Sequence, residues 1–121
     1  MSTILVIDSN ESILALLEII LLRANYRVVI ARTGADGVTT ARTAQPGAII
    51  MSENLQMASP EDICLQLKMD PETAHIPLIL AITANVRDAQ GYARLKGADA
   101  VLQQPFRAND VSLVLANMLH Q

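Results

Sequence analysis

The chain has 121 residues, 51% of them apolar, 2% aromatic and none Trp, with nine basic and twelve acidic side chains and a net charge of −3. One domain of this length buries a core without disulfides or metal, and the core must be built from Leu, Ile, Val, Ala and Met. The acidic balance and scattered Arg and Lys argue against a nucleic-acid footprint, and the lone Cys64 excludes an internal disulfide and suits a reducing cytosol.

In chain order, Thr3–Ile7 ("TILVI") is a continuous apolar run that predicts a buried strand. Asn10 to Ala24 has Ile13, Leu16, Leu17, Ile20 and Ala24 at helical spacing; its apolar run Ile13–Leu22 is too short for a membrane span and contains Glu18. No basic stretch followed by an apolar one marks a signal peptide. Arg27–Ile30 predicts a second strand. Gly34 to Ala44 predicts a weaker helix, because Gly37, Thr39, Thr40 and Thr43 all lower propensity. Ala48–Met51 is the third strand and runs into a polar tip, Ser52-Glu53-Asn54. Ser59-Pro60-Glu61-Asp62 opens a helix to about Met69, with serine as N-cap, proline in the first turn and acids behind it. Leu78–Ile82 is the fourth strand. A helix from about Val86 to Lys96 closes on Gly97, Asp99–Leu102 is the fifth strand, and Asn109–Leu119 the last helix.

Five strands alternating with five helices, the strands apolar throughout, predict an α/β domain over residues 1–121 with a parallel, doubly wound sheet buried on both faces. Ligands of such sheets bind beyond the carboxyl ends of the strands. The residues expected there are Asp8 and Ser9 after strand one, Ser52 after strand three, Thr83 after strand four, and Gln103-Gln104-Pro105 after strand five.

These segments resemble the receiver domain of response regulators, the phosphorylatable module of two-component signalling. "ILVIDSNESI" is similar to the first strand and acidic turn of that family, "DPETAHIPLILAIT" to its approach to strand four, and "GADAVLQQPF" to its GAD…KPF signature. The resemblance covers essentially the whole chain. It implies a flavodoxin-like (βα)5 fold with strand order 2-1-3-4-5. Between Thr83 and Gly97 the spacing is one residue shorter than is common in the family, which implies a reshaped fourth helix.

The family's chemistry uses two acids after strand one and an aspartate after strand three, which hold Mg²⁺ through oxygen ligands. The strand-three aspartate attacks the phosphoryl donor. A Ser or Thr after strand four and a Lys after strand five hold the transferred oxygens. Of these groups the resemblance carries over Asp8 and Thr83. Ser9 stands at the second acid, Ser52 at the phosphoacceptor, Gln104 at the lysine and Val101 at the usual strand-five aromatic, while Gln56 replaces a loop proline.

A hydroxyl needs an adjacent base to attack, and neither His75 nor His120 is expected at this end. Ser52 therefore reads as a strand end hydrogen-bonded to Asp8 or to a loop amide. Glu53, next along the strand, is expected to point away from the pocket by alternation. The resemblance implies a cis bond at Gln104-Pro105. Cys64 reads as a packed helix residue, and both histidines as surface residues.

The expected function is that of a phosphorylation-independent pseudo-receiver, a cytoplasmic protein–protein interaction module with no catalysis, cofactor or metal of its own. Leu14 and Leu22 in the first helix, and Leu113 and Val114 in the last, stand where receivers commonly carry charge. They point to an outward apolar surface. The interface is expected on the face of the fourth helix, fifth strand and fifth helix, at Val101, Phe106, Val111, Leu113 and Val114, with a signalling protein or a second copy as partner. Nucleic acid and membrane are not expected partners. The alternatives are a small-ligand sensor using the emptied pocket and an atypical phosphorelay receiver.

Overall fold

A computed structural model describes residues 2–119. The elements run β1 (Thr3–Ile7), α1 (Glu11–Arg23), β2 (Arg27–Ala31), α2 (Gly34–Ala44), β3 (Ala48–Ser52), α3 (Pro60–Met69), β4 (Leu78–Ile82), α4 (Ala89–Lys96), β5 (Ala100–Gln103) and α5 (Ala108–Leu119). All strands are parallel, in the order β2-β1-β3-β4-β5, the flavodoxin-like order expected. His120 lies outside the described residues.

Local chemistry sets the helix starts. Asn10 accepts from the Ile13 amide at 3.0 Å, Thr33 from Asp36 at 3.1 Å, and Ser59 from Asp62 at 3.4 Å with Pro60 in the first turn. Each cap satisfies an amide that has no partner within its helix. The fourth helix differs from its expected span. It starts at Ala89 rather than Val86, because the Asp88 carboxylate caps Gly91 N at 3.0 Å and leaves Val86 and Arg87 in the preceding loop. It ends on Gly97 at φ +102°, a left-handed conformation that glycine adopts at little cost. The remaining boundaries match expectation or differ from it by one residue.

Successive residues of each strand point to opposite faces, and both faces are covered. Leu5, Ile7, Ile49, Met51, Leu78, Leu80 and Ile82 join one core with Val38, Ile63, Cys64 and Leu67 of α2 and α3. Ile4, Val6, Ile50, Ile79, Ala81 and Leu102 join the other with Leu14, Leu17 and Leu21 of α1 and Val111 and Leu115 of α5. Helix α2 lies tight on β1 at Gly37, where a Cβ would come within 2.5 Å of Ile7 Cδ1. Cys64 is fully buried, with its Cβ 3.0 Å from where a Cβ on Gly97 would stand.

At the amino ends of the central strands, Lys68 Nζ donates to the carbonyls of Ala74 and Ile76 and to Asp99 Oδ2, at 3.4, 2.9 and 2.6 Å. Asp99 Oδ2 also accepts from Leu78 N at 2.8 Å, so one carboxylate ties β4 to the turn before β5.

Two expectations about the surface are corrected. Leu14, read as outward-facing, is 2% exposed, because its position on α1 turns it onto the sheet. Val111, read as an interface residue, is 1% exposed and belongs to the core-facing stripe of α5. Leu22 and Leu113 do face solvent, together with Leu16 and Ile19 of α1. Val101, Phe106 and Val114 are half-buried, and His75 is exposed. Among the described residues, no helix is long and apolar enough to cross a membrane.

Candidate functional site

The carboxyl ends of β1, β3, β4 and β5 enclose a cavity of about 330 Å³ that brings together Asp8, Ser9, Ser52, Thr83 and Gln104, with Asn54 and Gln56 from the loop after β3. Its lining is polar and holds one carboxyl group and no cationic side chain.

Asp8 is 4% exposed, and its Oδ1 accepts from Asn10 N at 2.9 Å. Burial raises its pKa above the ordinary aspartate value, and the amides of Asn10 and Ser9 only partly offset that. The hydroxyls are already engaged. Ser9 Oγ donates to Arg32 O at 3.0 Å and accepts from Gln56 N at 3.4 Å, tying the end of β1 to the start of α2 and to the β3–α3 loop. Ser52 Oγ accepts from Asn54 N at 3.0 Å, a local turn that closes the strand tip onto itself. Thr83 Oγ1 accepts from Asn54 Nδ2 at 3.0 Å. Gln104 donates its backbone amide to Ile82 O at 2.8 Å, and the Gln104–Pro105 bond is cis.

Glu53 stays out of the cavity, as alternation implies, and its carboxylate reaches the end of β4. Oε1 accepts from Thr83 N at 2.8 Å, Ala84 N at 3.1 Å and Thr83 Oγ1 at 3.3 Å, while Oε2 accepts from Tyr92 Oη at 2.6 Å. Just beyond the end of β3 at Ser52, a glutamate side chain is long enough to cross to the neighbouring strand. Burial works against its charge, but the hydroxyl of Tyr92 and the amides of Thr83 and Ala84 outweigh it. The pKa of Glu53 is therefore lowered. Tyr92 was not singled out by the sequence; the available signal was that it is the sole aromatic residue of α4.

The site does not fit Mg²⁺. That ion needs near-octahedral oxygen coordination and dehydrates reluctantly, so its protein sites offer more than one hard donor free to ligate. Here Asp8 is the one carboxyl group, and the hydroxyls of Ser9 and Ser52 are committed to backbone partners. Among the described residues no three His, Cys, Asp or Glu side chains come together as a ligand set.

No protein-family model matches the chain. Among curated proteins it is 32% identical over 110 residues to the alkaline phosphatase synthesis transcriptional regulatory protein PhoP of Bacillus subtilis, covering 90% of this chain and 45% of PhoP. It is 28% identical over 105 residues to protein PilH of Pseudomonas aeruginosa, covering 87% of each. Among solved structures, the chemotaxis response regulator CheY4 of Vibrio cholerae superposes with a TM-score of 0.89 at 22% identity, over 98% of this chain and 99% of that one. The chain thus spans about half the length of PhoP and most of PilH. The fold is the one seen in that solved response regulator, and the sequence is similar over most of its length to parts of PhoP and PilH.

Proposed function

We propose that this chain is a receiver domain of two-component signalling that works without accepting phosphate, as an interaction module whose output is the binding of a protein partner or of a second copy. One observation carries the reading: the cavity pairs a serine at the acceptor position with no cationic side chain. Ser52 Oγ accepts from the Asn54 amide, and Gln104 brings no charge to offset a phosphoryl anion. With nucleophile, second acid and counter-charge gone, and only Asp8 and Thr83 kept, the site lacks three of the five groups that phosphoryl transfer uses, while the scaffold keeps its fold. The partner surface in this reading is the face of α4, β5 and α5, where Val101, Leu113 and Val114 border an apolar groove.

The test is titration of ¹⁵N-labelled protein with Mg²⁺ and beryllofluoride, and intact-mass measurement after treatment with a small phosphodonor. The expected result is an unchanged spectrum and an unchanged mass. Saturable shifts at Ser9, Ser52 or Thr83, or a stoichiometric phosphoryl adduct, would sink the reading.

A further inference from the structure

We infer that Glu53 is a built-in anion that locks the β4–α4 loop and α4 onto the tip of β3, so that the α4–β5–α5 face has one arrangement set by this side chain rather than by the contents of the cavity. The inference rests on the phosphorylation-independent reading above and supplies its physical cause.

The loop after β4 presents two consecutive amides, Thr83 N and Ala84 N, and the Thr83 hydroxyl, all toward one point. That point is taken by Glu53 Oε1, at 2.8, 3.1 and 3.3 Å. Donors convergent on one position form an anion site, and bonds to a charged acceptor are roughly twice as strong as neutral ones. Filling the site from within leaves these amides unavailable to an anionic guest in the neighbouring cavity.

The second oxygen extends the lock to α4. Tyr92 lies on that helix and donates to Glu53 Oε2 at 2.6 Å. Lys96, one turn further along α4, stands 5.3 Å from the Tyr92 ring centroid and reaches Glu61 of α3 at 3.5 Å. Gln103 of β5 closes the other side, donating from Nε2 to Ala84 O at 2.8 Å. The tip of β3, the loop and α4 thus meet at one carboxylate, and β5 is tied to the same loop through Ala84. Helix α4 is only eight residues long, which makes these side-chain ties a large share of what holds it.

The experiment compares the wild-type chain with Glu53→Ala, Glu53→Gln and Tyr92→Phe by amide hydrogen exchange and ¹H–¹⁵N spectra, at one pH and without phosphodonor. Glu53→Ala is expected to raise exchange at Thr83 and Ala84 at least about tenfold and to shift the amides of residues 89–96, leaving Ile4–Ile7 unchanged. Glu53→Gln, which keeps a neutral acceptor, should fall between Glu53→Ala and wild type. Tyr92→Phe should loosen α4 while Thr83 and Ala84 stay protected. Wild-type exchange at Thr83, Ala84 and α4 in Glu53→Ala would overturn the inference, as would changes spread evenly over the sheet. A wild-type chain that takes up a phosphoryl group would overturn the proposed function alone, because the exchange comparison reads the lock independently of the acceptor.

Discussion

Replacing Asp8 by asparagine should stabilise the protein at neutral pH. The carboxyl is almost fully buried and stands in a cavity with no cationic neighbour, so its ionised form bears a desolvation cost without an ion-pair return. An asparagine Oδ1 can still accept from Asn10 N, where the present bond is 2.9 Å long, and its amide N–H groups face a polar cavity. Removing an uncompensated charge gains about 1–3 kcal/mol, and weakening the bond to Asn10 returns roughly 1 kcal/mol of that. The net is about 1 kcal/mol in favour of Asp8→Asn. With an unfolding entropy of about 2.1 cal/mol/K per residue, this corresponds to a rise in Tm of about 4 °C for a chain this size.

The pH dependence carries the sign. Burial raises the folded pKa of Asp8, so the folded chain binds this proton more tightly than the unfolded chain does. Wild-type stability relative to Asp8→Asn is therefore undiminished below the ordinary aspartate value of about 3.9 and falls as pH rises from there through the raised folded value. Thermal unfolding followed by circular dichroism should show the gap open at pH 7 and close near about pH 3. A gap of the same size at both pH values, or a less stable Asp8→Asn at pH 7, would refute the reasoning. The same assay with Mg²⁺ at about 10 mM should leave the wild-type Tm in place, because an ion that does not bind the folded state cannot stabilise it.

Three further perturbations test other parts of the structure. The Cys64 thiol, fully buried and pushed up to about 11 mainly by burial, should resist a disulfide reagent at pH 8 in the native protein and react once denaturant is added; stoichiometric native labelling would contradict its placement. Gly37→Ala sets a methyl against Ile7 and should cost about 1–3 kcal/mol, read as a lower urea midpoint at unchanged slope. Lys68→Met keeps the aliphatic stem but strips the bonds to Ala74 O, Ile76 O and Asp99. It should cost about 1–2 kcal/mol and speed amide exchange around Ile76–Leu78.

Much of the fold was legible because the signals were local or periodic. The run Thr3–Ile7 is apolar on both faces, and both faces are covered; Ser59-Pro60 opens α3 where the cap chemistry says it should. The start of α4 was not legible, because Val86 continues the apolar pattern while the deciding interaction is one carboxylate, Asp88, folding back on Gly91. Leu14 shows a related limit: helical spacing gives a stripe, but which residues at its edge meet the sheet depends on how α1 is rotated. Asp8, Ser9, Ser52, Thr83 and Gln104 around the cavity followed from strand ends alone, since parallel strands must deliver their last residues to one side, whereas Gln103 and Pro105, also expected there, line the groove beside α5 instead. Alternation kept Glu53 out of the cavity but could not give its partners, because beyond the strand a long side chain goes wherever donors are waiting.

The sheet has a further consequence as a partition. Its two faces feed separate apolar compartments, one closed by α2, α3 and α4 and the other by α1 and α5, with the hydrogen-bonded backbone as the wall between them. A void opened beside Leu17 cannot be filled by side chains from around Leu67, because no side chain passes through that wall. Each compartment must repair its own damage. Changes on the solvent-facing side of α1, which carries Leu16, Ile19 and Leu22, therefore leave undisturbed the packing that positions α4 on the far side.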